Sequence, residues 1–318
     1  MSTKHRFQYT PAPEKSKSAP ANYGKVEERT DREEIIMSQA DVLFKNMCRQ
    51  ILEHGTDTSD GAVRPHWADT GEPAYTIKTF GVVDRYDLRQ EFPAITLRRT
   101  AIKSAMDEVL WIYQRKSSNI HDLHSHIWDA WADADGSIGT CYGYVIGRKD
   151  PRNGQLMDQM DFVLHELKTN PYSRRILTTM FIPQYLDGGH LEPCAYSMTY
   201  NVTRDEQGRF VLNAILNQRS QDVLAANNWN VVQYALLLMM VAQVSGMIAG
   251  ELIHVVADCH IYDRHVPIIR ELIQRPEYPA PKVWLNPEVR DFYQFTTDDL
   301  HVEDYRYGEQ IKNIPIAV

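Results

Sequence analysis

The segment Val231 to Gly250, VVQYALLLMMVAQVSGMIAG, sets the first constraint on the fold. It is apolar on nearly every side of a helix, and such a helix has to be surrounded. Gln233, Gln243 and Ser245 interrupt it, so it lacks the clean run of ~18 apolar residues that a membrane span requires. The segment therefore predicts a central helix buried within a large soluble domain. A chain of 318 residues is long enough to supply the cover.

The rest of the pattern predicts what surrounds that helix. Asp31 opens a helix in which Ile35, Ile36, Ala40, Val42, Leu43, Met47, Ile51 and Leu52 recur at roughly helical spacing, and Gly55 ends it. Ala74 to Val83 reads as a strand, and Thr100 to Gln114 as a second amphipathic helix. Glu108 lies there among Ile102, Met106, Val109 and Leu110, and a carboxylate in such company faces solvent or has a partner. Ile176 to Ile182, Tyr196 to Val202 and Phe210 to Leu216 have strand composition, the last two flanking a turn at Asp205 to Gly208. A short strand, Leu252 to Val256, is expected after the buried helix, then a helix from about Asp263 to Gln274 and late strands and loops from Val283 to Tyr305. No repeat and no Pro/Gly-rich linker divides residues 31–318. The expectation is a single large α+β domain whose helices cover a mixed or antiparallel sheet. Residues 1–30, rich in Pro, Ser, Lys and Ala, read as a disordered tail without the apolar stretch of a secretory signal.

Charge and cysteine usage narrow the function. Thirty-four Lys and Arg against 42 Asp and Glu give a formal net charge of -8. That balance argues against nucleic acid or an anionic membrane as the main partner, yet leaves room for a local arginine cluster around one anion. Cys48, Cys141, Cys194 and Cys259 are widely spaced with no C-x-x-C pair, so neither a disulfide framework nor a zinc site is expected. A reducing, cytoplasmic setting fits.

Cys194, in Glu192-Pro-Cys-Ala-Tyr196, stands at the start of a predicted strand, where clefts open. A reactive thiol needs an electropositive neighbour, without which a cysteine is ordinary buried packing. Arg219 ends the next strand, and antiparallel pairing sets the start of one strand beside the end of its neighbour. Arg64, Arg98-Arg99 and Arg174-Arg175 are ordinary surface charges when taken singly. With Arg219 they are suitable partners for phosphate or carboxylate, which guanidinium binds in a bidentate way. In Asp258-Cys-His-Ile-Tyr-Asp-Arg-His265 the two histidines are spaced unlike a metal site, and His260 and Tyr262 make better hydrogen-bond donors to a hydroxyl. No metal is expected. A cysteine hydrolase would need a histidine base, and no local signature supports one. From the residues alone the reading is a thiolate enzyme acting on a small phosphorylated substrate.

Taken together, Glu192-Pro-Cys-Ala-Tyr, Asn217-Gln-Arg-Ser-Gln-Asp222, Asn230-x-x-x-Tyr234-Ala-Leu-Leu and Asp258-x-His-x-Tyr262 resemble the folate-dependent thymidylate synthase family from about residue 38 to the C-terminus. Glu108-Val-Leu-Trp111, Trp128-Asp-Ala-Trp131, Tyr142-Gly, Ser173-Arg-Arg-Ile and the tail Pro315-Ile-Ala-Val318 add to the resemblance. It implies a catalytic domain over residues 31–318 and a homodimer joined sheet to sheet. It also implies reductive methylation of dUMP to dTMP, with 5,10-methylenetetrahydrofolate as carbon donor and reductant. Cys194 would add to C6 of the uracil, and Arg219 would lower its pKa. Arg219, Arg64 and Ser220 would bind the phosphate, with Arg174 and Arg175 reaching it from the other subunit. Asn230 would read uracil O4 and N3, and Gln218 and Asp222 join the nucleotide site. His260 and Tyr262 would hold the ribose hydroxyl, while Glu108 and Tyr142 would serve proton transfer. Arg98, Trp128, Asp222, Ala317 and Val318 would form the folate side, the tail closing over it.

Several positions depart from the commonest pattern of that family. Ala195 replaces a histidine, Ala226 a glycine, Asn228-Trp229 a Pro-Phe pair and Arg98 a lysine. Two rival functions remain open at this point. One is a hydroxymethylase on the same scaffold, of which Asn230 disfavours the cytosine-specific form. The other is a silent nucleotide-binding or RNA-regulatory protein, which an intact Cys194, Glu108 and Arg219 disfavour.

Overall fold

In the computed structural model of this chain, residues 37–152 and 154–318 are described. The tail expected over residues 1–30 and the expected helix start at Asp31 lie outside the described residues. Among the described residues, helices α1 (Gln39–His54), α2 (Ile102–Val109), α3 (Gly143–Ile146), α4 (Gln159–Thr169), α5 (Pro183–Leu186), α6 (Asn227–Val244) and α7 (Val266–Leu272) pack with strands. The strands are β1 (Thr56–Asp57), β2 (Thr76–Asp87), β3 (Asp150–Arg152), β4 (Gln155–Met157), β5 (Leu177–Thr179), β6 (Ala195–Arg204), β7 (Phe210–Asp222), β8 (Ile248–Tyr262), β9 (Lys282–Leu285) and β10 (Leu300–Glu303).

The main sheet has six strands in the order β1-β2-β8-β7-β6-β5. Its β7–β8 pair is parallel and the other pairs are antiparallel. The sheet is therefore mixed, and α6 is the crossover that the parallel pair requires. The expected buried helix is this crossover. It starts four residues earlier than the apolar run suggests, and Ile248 to Gly250 already belong to β8. Thirteen of its residues are buried, Val231 through Leu238 among them, which accounts for its all-round apolarity.

Each sheet face follows from strand alternation. The cross-strand row Thr178, Met198, Leu216, His254 and Asp84 is buried beneath the helices. The neighbouring row Leu177, Thr199, Ile215, Ile253 and Arg85 points the other way and is only partly covered, with Leu177 and Ile215 exposed. The sheet has one finished face and one partly apolar face that this chain's described residues only half cover.

Three strands run beyond their sequence expectation. β2 continues past Val83 to Asp87, β7 past Leu216 to Asp222, and β8 past Val256 to Tyr262. The polar ends Asn217–Asp222 and Ala257–Tyr262 lack a strand's hydrophobic signature, yet they are paired with each other. The second expected helix also changes character: after α2 it continues as a π-helical turn, Leu110–Gln114. Such turns are rare and recur near functional residues. Here it follows directly on the helix that carries Glu108.

Candidate active site

Cys194 immediately precedes β6, half-buried. A register irregularity between Ala195 and Ser197 breaks the β6–β7 ladder, because Ala195 pairs with Gln218 and Ser197 with Asn217. The bulge bends the strand at its start and turns the preceding residue toward the strand ends. Across from it, Arg219 donates its backbone N–H to the Cys194 carbonyl at 2.9 Å. Its guanidinium reaches the Glu192 carbonyl (2.7 Å), the Pro193 carbonyl (3.0 Å) and the Cys194 sulfur (3.7 Å). The juxtaposition expected from strand pairing is present.

Arg219 pulls the thiol pKa down as expected, but burial outweighs that pull. Burial raises the Cys194 thiol above its ordinary value, and the lowering pull of Arg219 and Arg64 does not reverse this. Two of the three guanidinium contacts of Arg219 go to carbonyl oxygens, which hold the loop and leave the sulfur only partly served.

Behind the thiol stands a wall of aromatic rings. The Cys194 N–H donates to the Tyr142 hydroxyl at 3.4 Å. The Tyr142 ring meets Trp128 edge-on, centroids 4.8 Å apart, and Trp128 donates its indole N–H to Oε1 of Glu108 at 2.8 Å. Trp229 donates to the other oxygen, Oε2, at 2.5 Å. Glu108 is 5% exposed, and burial pushes its pKa up to about 7 although Trp229, Trp128 and Gln233 all pull it down. The carboxylate amid apolar residues thus has partners, and it titrates in the range useful for moving a proton. Trp128, expected on the folate side, is in contact with Glu108.

The next side chain on α6, Asn230, is held at both ends. Its Oδ1 accepts from Gln218 Nε2 at 3.1 Å and its Nδ2 donates to Gln233 Oε1 at 3.0 Å. Gln218 is in turn fixed by His254, whose Nε2 lies 2.8 Å from Gln218 Oε1. Burial depresses the His254 pKa to about 4, so the ring is neutral, and the tautomer with its proton on Nε2 is the one that donates to Gln218 Oε1. Gln218 sits behind Asn230 as its support.

The far ends of β7 and β8 supply the remaining polar groups. Asp222 pairs in register with His260, and His260 Nδ1 lies 2.8 Å from Asp258. Burial alone would raise the Asp222 carboxyl, but His265, His260 and the Ala225 amide outweigh it and hold the group below its usual value. Arg98 donates to the Leu224 carbonyl, and its buried Nε has no hydrogen-bond partner. Ser220 lies on β7 between Arg219 and Asp222, and Arg64 is exposed, near enough to act on Cys194 and Tyr262 through its charge.

The C-terminal tail is folded onto this cluster. Val318 and His66 exchange two backbone hydrogen bonds of 2.9 Å, and the Ala68 N–H donates to the Ile316 carbonyl at 2.9 Å. Ala317 thereby bridges to Trp67, whose ring packs edge-on against Tyr262 and His265, centroids 5.6 Å apart in each case. His265 Nε2 lies 2.8 Å from the Pro315 carbonyl and its Nδ1 3.4 Å from Asp222.

Arg174 and Arg175 do not join the site within this chain. They precede Ile176, whose carbonyl pairs with Tyr200, and Tyr200 is about 20 Å along β6 from Cys194 at ~3.3 Å per residue. Trp67, Trp229, Gln233, His254 and His265 were not foreseen as site residues. Trp229 had a signal, as a bulky replacement beside Asn230. Gln233 stood out only as a polar break in the apolar run and His265 only as the second histidine of the segment from Asp258 to His265. Trp67 and His254 lie in unremarkable local sequence, and only the tertiary fold gathers them all.

Comparison with known proteins agrees with this geometry. The sequence profile of the family described as thymidylate synthase matches residues 42–318. The chain is 40% identical over 279 residues to a thymidylate synthase of Bacillus licheniformis, covering 86% of this chain and 98% of that one. It is 38% identical over 279 residues to the thymidylate synthase of Bacillus phage phi3T, with the same coverages of 86% and 98%. Its fold matches the solved structure of the thermostable thymidylate synthase A from Bacillus subtilis with a TM-score of 0.82 and 38% identity, covering 88% of this chain and 100% of that one. The arrangement around Cys194 thus sits in a scaffold shared along almost the whole described chain, and the chain belongs to the thymidylate synthase family.

Proposed function

We propose that this chain catalyses the reductive methylation of dUMP to dTMP with 5,10-methylenetetrahydrofolate, yielding dihydrofolate. The observation that carries the reading is the placement of the Cys194 sulfur beside Arg219, on the same wall as a buried Glu108 poised near neutrality. The sulfur adds to C6 of the pyrimidine as the nucleophile, and Arg219 is the nearest group favouring its ionised form. Asn230, with its oxygen and nitrogen fixed by Gln218 and Gln233, offers an acceptor to N3–H and a donor to O4. That pairing suits uracil and mismatches cytosine. Glu108 takes and returns protons at the ring, with Tyr142 as a phenol donor. Arg219, Arg64 and Ser220 hold the phosphate, and His260 and Tyr262 the ribose.

The folate side fits the residues present. The buried, unpartnered Nε of Arg98 suits an anionic group, and an ionised Asp222 suits the amino and ring N–H groups of a pterin. When bound, the folate supplies both the one-carbon unit and the hydride. Trp128 lines its side, and the tail ending in Ala317 and Val318 lies where it shields the site from water. That shielding favours hydride transfer over the hydroxymethylase outcome. Incubation with dUMP and methylenetetrahydrofolate tests this: dihydrofolate and dTMP are expected, whereas hydroxymethyl-dUMP with tetrahydrofolate would overturn the assignment.

The reading includes a homodimer with shared sites. The half-covered row through Leu177, Ile215 and Ile253 is an apolar face suited to a second copy. Arg174 and Arg175, exposed at one end of the sheet, then reach the phosphate bound in the other subunit. Mixing an Arg174→Glu subunit with a Cys194→Ala subunit is expected to restore part of the activity through one intact hybrid site. Verified heterodimers that stay inactive would contradict the sharing.

A further inference from the structure

We propose that Trp229 is a positioning residue for Glu108: its indole N–H holds the second carboxylate oxygen, fixing the plane of the group and favouring the ionised form that accepts a proton. This deepens the reading of Glu108 as the proton-transfer carboxylate and rests on it. The two oxygens of Glu108 each accept one indole N–H, Oε1 from Trp128 and Oε2 from Trp229, at 2.8 and 2.5 Å. An indole can only donate, so neither ring can relay the proton or accept from a neutral carboxyl. Both contacts are stronger to the charged form than to the neutral one and are of the short, charge-assisted kind. With burial pressing the group towards neutrality, these donors keep the ionised form accessible.

The position in the fold adds to the case. Trp229 is the third residue of α6, so its ring is set by the same helical turn that presents Asn230. Gln233, one turn further, bonds both to Glu108 and to the Asn230 amide. The first turns of α6 therefore grip the carboxylate and the pyrimidine-reading amide as one rigid unit. A phenylalanine at 229 would fill much the same space without the N–H. The departure from Pro-Phe seen in the sequence is therefore a functional contact on the proton-transfer side.

Trp229→Phe tests this by removing the donor while keeping a ring. The limb of the kcat/KM profile that rises with pH is expected to move up by about one pH unit, as loss of one charge-assisted bond implies. The kcat should fall at neutral pH while dUMP affinity stays within about twofold of the parent. In a Glu108→Gln background the same substitution should change nothing further. A normal melting temperature with an unmoved limb would overturn the proposal. Where Trp229→Phe does not fold, the Trp229 indole proton followed by NMR in the parent protein decides the matter. It is expected to titrate with the midpoint of the rising limb and to lose that titration in Glu108→Gln; a pH-independent signal would overturn the proposal. If Glu108→Gln itself retains full turnover, the failure belongs to the reading of Glu108 and not to Trp229.

Discussion

Arg219 lies with one guanidinium nitrogen 3.7 Å from the Cys194 sulfur while its other contacts secure the carbonyls of Glu192 and Pro193. One side chain thus both builds the loop that carries the nucleophile and biases its ionisation. Because burial still holds the thiol above its ordinary value, alkylation of Cys194 in the ligand-free protein should speed up with rising pH past the usual thiol range. Arg219→Ala should slow alkylation at pH 8 about tenfold, the equivalent of roughly one pKa unit. Cys48, Cys141 and Cys259 are buried and serve as unreactive internal references, read by mass spectrometry of the labelled peptides. An unchanged rate would remove Arg219 from the activation of the sulfur.

Glu108 ionises near pH 7 in this environment. Glu108→Gln retains an acceptor oxygen for one indole but cannot take up a proton. Its kcat should fall by about 10²–10⁴-fold, the usual range for a positioned acid–base group. Nucleotide binding, followed by calorimetry, should survive, since Arg219, Asn230 and Ser220 are untouched. Loss of binding without loss of kcat would assign Glu108 a different role.

The tail is latched by backbone pairing between His66 and Val318, and His265 bonds to the Pro315 carbonyl. Deleting Val318 removes two hydrogen bonds, worth about 1–3 kcal/mol together. The closed fraction should then drop about ten- to a hundredfold, with turnover falling and Trp67 fluorescence changing in step. Burial lowers the His265 pKa, but Asp222 and the Pro315 carbonyl outweigh it and raise the group overall. Of the groups that raise it, the Pro315 carbonyl belongs to the tail, so the protonated ring bonds the closed tail more strongly than the neutral one and the latch should weaken as pH rises through that raised value. A tail deletion with unaltered kcat would deny it a part in the reaction.

His254, 1% exposed and beneath Gln218, carries a depressed pKa of about 4 against an unfolded value near 6.5. The neutral ring is favoured on folding, so its contribution to stability is complete above pH 6.5 and is lost as pH falls towards 4. The loss is roughly 3 kcal/mol by linkage. Urea unfolding of the parent and of His254→Asn at pH 7 and pH 4.5 should show a markedly shallower pH dependence in the variant. Equal slopes would mean that the ring is charged in the folded state.

Much of this site was legible before any coordinates. The apolar run at Val231 predicted a central buried helix because helices that are greasy on all sides have one place to go, though not that it is the crossover of a parallel pair. Cys194 and Arg219 could be set opposite each other because antiparallel pairing is a geometric rule. The polar ends of β7 and β8 were not legible: residues such as Ser220, Gln221 and Asp258 are strand residues only because each ladder satisfies the other's backbone. The sign of the thiol shift was also hidden, since it depends on how deeply the sulfur is buried once the loop is tied down. Trp229 was visible as an oddity, but its meaning needed the position of Glu108, 121 residues away in sequence.

The most direct test of the account is mass spectrometry of the full chain treated with 5-fluoro-dUMP and methylenetetrahydrofolate. The account predicts a stable adduct that carries both molecules, mapped to the peptide containing Cys194 and missing in Cys194→Ser. An adduct on another residue, or none in a protein that turns over dUMP, would contradict it.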